Sequence, residues 1–220
     1  MTLKVTVKMV FFALAALGIC QAARAEYYNE PRELDIMGSY TQSASGMVFP
    51  EAVAGFMRNG IVRYNSEGSD EEVDYLLDMP GKEVGISLYV YPVPANLGEE
   101  LAKALPRDDL YPALLMFSEQ LFTDEEQGIY QVHPGADVLE EKRVSHDQPG
   151  ISYPGYMAAF RYREEFFGKT QRVRSELHLF PLVGKSWMVK YRITYPEGLD
   201  AAAQVAGFMR ALPWTIHEAK

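Results

Sequence analysis

Residues 155–196, GYMAAFRYREEFFGKTQRVRSELHLFPLVGKSWMVKYRITYP, decide how this chain folds. Three runs, Gly155 to Phe166, Thr170 to Phe180 and Ser186 to Pro196, alternate apolar and polar residues with the period of two that gives each face of a strand its own residue set. Gly168-Lys169 and Gly184-Lys185 separate the runs, as expected of an antiparallel meander with short turns. Phe160, Tyr162, Trp187, Tyr191 and Tyr195 sit among apolar neighbours at the same period, so they read as core rather than as a sugar or base platform.

The polar positions of the meander carry charge. A turn centred on Gly168-Lys169 sets Phe160 opposite Leu177, Arg161 opposite Glu176, Arg163 opposite Arg174 and Glu165 opposite Arg172. In the next hairpin a three-residue loop or a bulge near Pro181 sets Leu179 beside Tyr191 and His178 beside Arg192. One face then holds Arg161, Arg163, Arg172, Arg174, His178, Lys190 and Arg192 against only Glu165 and Glu176. Two readings follow. Either an acidic helix or the N-terminal stretch covers this face, or the charges form weak cross-strand ladders. Alternatively the face binds an acidic protein or an anionic small ligand through arginine forks. Like charges directly opposed, as at Arg163 and Arg174, favour the second reading, because uncompensated they destabilise the sheet.

Working outward, VDYLLDM (73–79) and EVGISLYVYP (83–92) flank Pro80-Gly81-Lys82 as a second hairpin, with Val84, Ile86, Leu88 and Val90 on one face and Gly85, Ser87, Tyr89 and Tyr91 on the other. SEGSDEE (66–72) reads as a charged loop, and Pro50-Glu51 before AVAGFM reads as a short helix stopped by Asn59-Gly60, with a strand at Ile61 to Tyr64. Asn96 to Gln127 changes to a helical period. Pro106 splits off a short first helix, and Leu110, Leu114, Phe117, Leu121 and Phe122 form an apolar stripe on the second. Strands resume at Asp137, and an alanine-rich helix from about Leu199 to Leu212 closes the chain before Pro213. The hexapeptide VAGFMR occurs at 53–58 and again at 205–210, but the flanks share no longer repeat, so both copies read as amphipathic helices alike by coincidence. The fold class is α+β, a central, mostly antiparallel sheet flanked by helices.

Met1 to Ala25 has the form of a secretory leader. Lys4 and Lys8 precede an apolar run too short to span a membrane, and Ala23-Arg24-Ala25 stands at the cleavage position. Residues 26–35 read as a polar tether, and 36–220 as one domain. Cys20 is the only cysteine. Its setting, Leu17-Gly18-Ile19-Cys20, resembles a lipobox, but Ile19 is bulky where that processing wants a small residue, so the expectation is a released periplasmic protein. Without cysteine the mature chain has no disulfide, thiolate nucleophile or Cys-ligated metal. The net charge of −9 becomes −12 once the leader's Lys4, Lys8 and Arg24 are gone, which disfavours nucleic acid as a partner.

Motifs for catalysis are missing from the sequence. His133, His146, His178 and His217 lack metal-ligand spacing, and there is no nucleophile elbow, Walker loop or dinucleotide fingerprint, so neither a metal nor a cofactor is expected. Asp124-Glu125-Glu126 and Glu99-Glu100 read as solvated helix faces. The rival to a non-catalytic binding protein is a periplasmic hydrolase that assembles His133 or His146 with acids only in three dimensions.

The order of elements resembles the PsbP-like α/β/α sandwich: an early F-P helix with G-I-V-R-Y, then S-L-Y-V-Y-P, a long helix, and S-W-M-V-K-Y-R-I-T-Y-P before a final helix. Small exported bacterial proteins share this layout. The resemblance covers roughly 36–214 and implies an accessory or binding subunit of a larger assembly; it places no functional residue on this chain.

Overall fold

The computed structural model describes residues 27–93, 110–184 and 186–217. The leader with Cys20, the short helix before Pro106 and the turn residue Lys185 lie outside the described residues. The strands are β1 (Tyr27–Glu33), β2 (Tyr40–Thr41), β3 (Val48–Phe49), β4 (Ala52–Val53), β5 (Phe56–Asn65), β6 (Glu71–Leu77), β7 (Val84–Pro92), β8 (Asp137–Gln148), β9 (Ile151–Phe166), β10 (Lys169–Val183) and β11 (Trp187–Pro196). Among the described residues two helices accompany them, α1 (Leu110–Val132) and α2 (Ala202–Ala211).

The large sheet runs β1-β5-β6-β7-β11-β10-β9-β8, with β4 also on β5, and every pair is antiparallel. It consists of two meanders. β5-β6-β7 grows one way, the chain crosses through α1 to the far edge, and β8-β9-β10-β11 returns until β11 pairs with β7. The architecture is α+β with sheet predominating, a correction to the expected proportions: each helix covers only part of one face. The long β9–β10 contact needs Gly155, where a Cβ would stand 2.5 Å from the Leu179 carbonyl oxygen and from a Phe180 ring carbon.

Both faces are packed. On one, Phe208 and Val205 of α2 sit with Leu212 and Trp214 on Tyr75, Ile86, Leu88, Tyr191 and Ile193. On the other, Phe122 and Ile129 of α1 sit with Phe160, Tyr162, Val173, Leu177 and Leu179. The meander aromatics expected in the core are there, from Phe160 and Tyr191 at 0% exposed to Tyr195 at 5%. For the apolar stripe of α1, Phe122 is buried, while the side chains of Leu110, Leu114, Phe117 and Leu121 lie outside the described residues.

Three local expectations are corrected. The first copy of VAGFMR is a hairpin: Ala54 and Gly55 take φ of 50° and 90°, a primed turn joining β4 to β5. It is stabilised by burial of Val53 and Phe56 and by Arg58, whose guanidinium donates to the carbonyls of Ile36, Gly38 and Phe49 at 2.7–2.8 Å. Tyr27–Glu33, within the stretch expected to be a tether, is edge strand β1, paired with β5. An edge strand with exposed side chains needs no apolar alternation, so periodicity could not reveal it. Finally, the charged loop is shorter than expected, because Glu71 and Glu72 belong to β6 and are each 1% exposed.

Candidate functional site

The arginines of the last meander depend on register. The β9–β10 turn centres on Phe167-Gly168, at φ of 50° and 72°, one residue earlier than expected. Moving the turn by one residue slides the pairing by two, so every side chain keeps its face while partners change. Arg161 now opposes Arg174, Arg163 opposes Arg172, and Glu176 opposes Ala159.

In the next hairpin both alternatives occur together. Val183 pairs with Trp187, leaving three residues between the strands, and an irregularity between Phe180 and Val183, with Leu182 at φ 58°, removes one residue from the ladder. Either alone would bring Lys190 and Arg192 to the arginine face; together they cancel. His178 therefore pairs with Tyr191, Leu179 with Lys190 and Leu177 with Arg192. Lys190 and Arg192 stand on the α1 face, and the seven-residue basic face divides into five and two.

Most of the five are neutralised within the protein. Arg174 donates to Glu176 at 2.9 Å and Glu140 at 3.3 Å. His178 lies 3.2 Å from Glu176, which also accepts from the Tyr195 hydroxyl at 2.7 Å. Burial raises the Glu176 pKa, but the hydrogen bonds from His178, Tyr195 and Arg174 outweigh it and bring the group down to about 2. Arg161 donates to Asp137 at 2.8 Å and to Glu197 at 3.3 Å. The outer pair differs. Arg163 and Arg172 are both exposed, Arg172 has only Glu197 at 3.8 Å, and Arg163 has no ion-pair partner among the described residues. This is the part of the basic face available to an anion.

On the α1 face, Lys190 and Arg192 join residues that no motif marked. Lys190 donates to both oxygens of Glu125 at 3.0 and 3.1 Å and lies 4.2 Å from the centre of the Tyr89 ring. Arg192 donates to the Tyr162 hydroxyl at 3.0 Å and approaches Nε2 of His133 at 3.4 Å. His133 stacks on Tyr162 and stands 3.9 Å from Glu164. Burial, then the Arg192 charge, lowers its pKa to about 4, so the ring is neutral. Glu164 is pushed up by burial, and its Oε1 is buried without a hydrogen bond among the described residues.

One strand pair further, Tyr89 donates to Glu72 at 2.9 Å, Tyr64 donates to the same carboxylate, and Ser87 donates to Asp74 at 2.5 Å. Burial, then the neighbouring Glu72 charge, raises Asp74 to about 8. The sequence signal for this band is weak: Glu72 reads as the end of the charged loop, and Asp74, Tyr64 and Tyr89 sit at strand positions equally consistent with a solvated face.

A cleft of about 280 Å3 separates α1 from β8 and β9, between Glu119, Phe122, Glu126, Glu141, Arg143 and Tyr156. Glu119, on its wall, accepts from Arg143 at 2.8 Å and Tyr156 at 2.9 Å. His146, the other candidate base, is buried in the α2-side core, stacked on Trp214 at 3.9 Å and held neutral, with burial lowering its pKa to about 4.

No known family model matches the chain. No curated protein matches it in sequence. Among solved structures it is similar to the Ran-binding protein Mog1p of Saccharomyces cerevisiae, at 17% identity over 84% of this chain and 86% of that one, with a TM-score of 0.31.

Proposed function

We propose that this is an exported, non-catalytic binding or accessory protein of the periplasm, with a PsbP-like sandwich, that engages an acidic partner or anionic ligand through Arg163 and Arg172. The observation that carries the reading is the outer cross-strand pair: two exposed guanidiniums directly opposed on a continuous ladder, with one carboxylate at 3.8 Å from one of them. Like charges in that position destabilise a hairpin slightly, and an incoming anion relieves the repulsion. Arginine forks also match carboxylate and phosphate geometry. The leader residues Met1 to Ala25 support export.

The test is capture of partners from periplasmic extract by the crosslinked mature protein at low and high salt. A partner held at low salt, released at high salt and lost in Arg163→Glu/Arg172→Glu supports the reading. Capture insensitive to both salt and substitution overturns it.

His133 favours a second reading, a hydrolase. Its ring is neutral and lies beside Glu164, Arg192 and Tyr162, an arrangement in which an imidazole can accept a proton. Ester or phosphoester hydrolysis by the mature protein that disappears in His133→Gln would establish this reading instead.

A further inference from the structure

Glu197 lies at the mouth of the arginine site, and its geometry is that of a bound anion rather than of a structural ion pair. One carboxylate oxygen is 3.3 Å from Nη1 of Arg161 and the other is 3.8 Å from Nη1 of Arg172, so a single carboxylate spans two arginines on neighbouring strands. Neither contact is close. The second exceeds hydrogen-bond distance, and Arg161 already has the Asp137 carboxylate at 2.8 Å.

The residue is positioned by its backbone. The Glu197 N–H donates to the Arg172 carbonyl at 2.9 Å, and Gly198, at φ 91°, turns the chain immediately afterwards. The carboxylate therefore hangs over the arginines without holding the turn together, and its side chain remains 34% exposed.

Resting on the binding reading above, we infer that Glu197 is a tethered competitor occupying the inner half of the anion site, and that the full site comprises Arg161, Arg163 and Arg172. An external anion must displace it. With Glu197 displaced, the three guanidiniums are offset only by Asp137 on Arg161, which suits a dianionic phosphoryl group better than a single carboxylate, because the one carboxylate already present leaves Arg163 unneutralised. The arrangement makes occupancy depend on the ligand's charge: a weak monoanion gains little over the resident side chain, whereas a dianion gains the additional attraction of Arg163 and Arg172.

The experiment is a low-salt titration of the mature protein with phenyl phosphate and with benzoate, followed by NMR shifts of the arginine Nε–Hε groups. It compares the parent, Glu197→Gln, Arg163→Glu and the Glu197→Gln/Arg163→Glu double variant. Glu197→Gln should bind phenyl phosphate about three- to ten-fold more tightly, the size expected from releasing two exposed ion pairs, with an unchanged melting temperature. Arg163→Glu should remove binding in both backgrounds. Equal affinity in the parent and Glu197→Gln overturns the competitor and leaves the arginine reading standing. Absence of binding in both, or binding indifferent to Arg163→Glu, overturns the arginine reading itself. Benzoate binding as tightly as phenyl phosphate overturns the dianion assignment.

Discussion

Phe56 and Phe208 occupy the same position of the same hexapeptide, and their rings meet edge to face with 5.0 Å between centroids, although one lies on a β-hairpin and the other in a helix. Phe208 makes a second such contact with Tyr75, also at 5.0 Å, and both phenylalanines are 0% exposed. Truncating either to alanine should cost about 3–5 kcal/mol. The double variant should lose less than the sum by roughly 0.5–1.5 kcal/mol, the worth of the ring pair, measured by urea unfolding of all four proteins.

The glycines of the two copies should respond with opposite sign. Gly55 sits at φ 90° in the primed turn, where a side chain is strained, so Gly55→Ala should destabilise by about 1 kcal/mol or more. Gly207 is inside α2 with nothing within 4 Å of a Cβ, so Gly207→Ala should stabilise by roughly 0.5–1 kcal/mol. Unfolding midpoints moving in the same direction for both would contradict the assignment of hairpin to one copy and helix to the other.

Arg163→Glu should leave the fold as stable as the parent or up to about 1 kcal/mol more stable, because it converts a like-charge cross-strand pair with Arg172 into an opposite-charge one. Arg174→Glu should be clearly destabilising, since it breaks the contacts with Glu176 and Glu140 and sets three carboxylates together. Melting temperatures of the two variants separate a binding arginine from a structural one.

Acid should unfold the protein partly through His146. Its pKa is about 4 in the folded state against 6.5 when unfolded, so below pH 6.5 the unfolded chain takes up a proton that the folded chain refuses. Stability present above pH 6.5 is then lost as the pH falls toward 4, by on the order of 3 kcal/mol in all. His146→Phe, which keeps a ring against Trp214, should flatten this part of the stability–pH curve.

Asp74 should give a slope of the other sign. Its folded pKa, about 8, lies above the ordinary 3.8, so the folded state holds a proton that the unfolded state has released. The contribution is complete below pH 3.8 and is lost as the pH rises toward 8, after which it levels off. Asp74→Asn preserves the hydrogen bond from Ser87 and should remove the alkaline decline. A decline of unchanged steepness in that variant would place the proton elsewhere.

Much of the fold was legible in the sequence because the strands and α2 carry strong periods bounded by glycine and proline. The β6–β7 hairpin, the final meander, the buried aromatics and the closing helix all follow from local pattern. What local pattern cannot supply is parity between strands. A loop of three residues and an irregularity near Leu182 each reverse the facing of β11, and only their coexistence, in a strand that must pair with β10 on one side and β7 on the other, sends Lys190 and Arg192 to the α1 face. Buried acids escape for a related reason: Glu72 looks like the end of a charged loop and Asp74 like a solvent-facing strand residue until Tyr64, Tyr89 and Ser87 arrive from neighbouring strands to satisfy them.

VAGFMR marks the boundary most clearly. By itself the hexapeptide determines only that valine and phenylalanine seek burial. An alanine-rich approach makes one copy helical, whereas a primed turn, the carbonyls awaiting Arg58 and the open edge of β6 make the other a hairpin. Burial preference is a property of the residues, but which backbone satisfies it is settled by the hydrogen-bond partners that the rest of the chain brings.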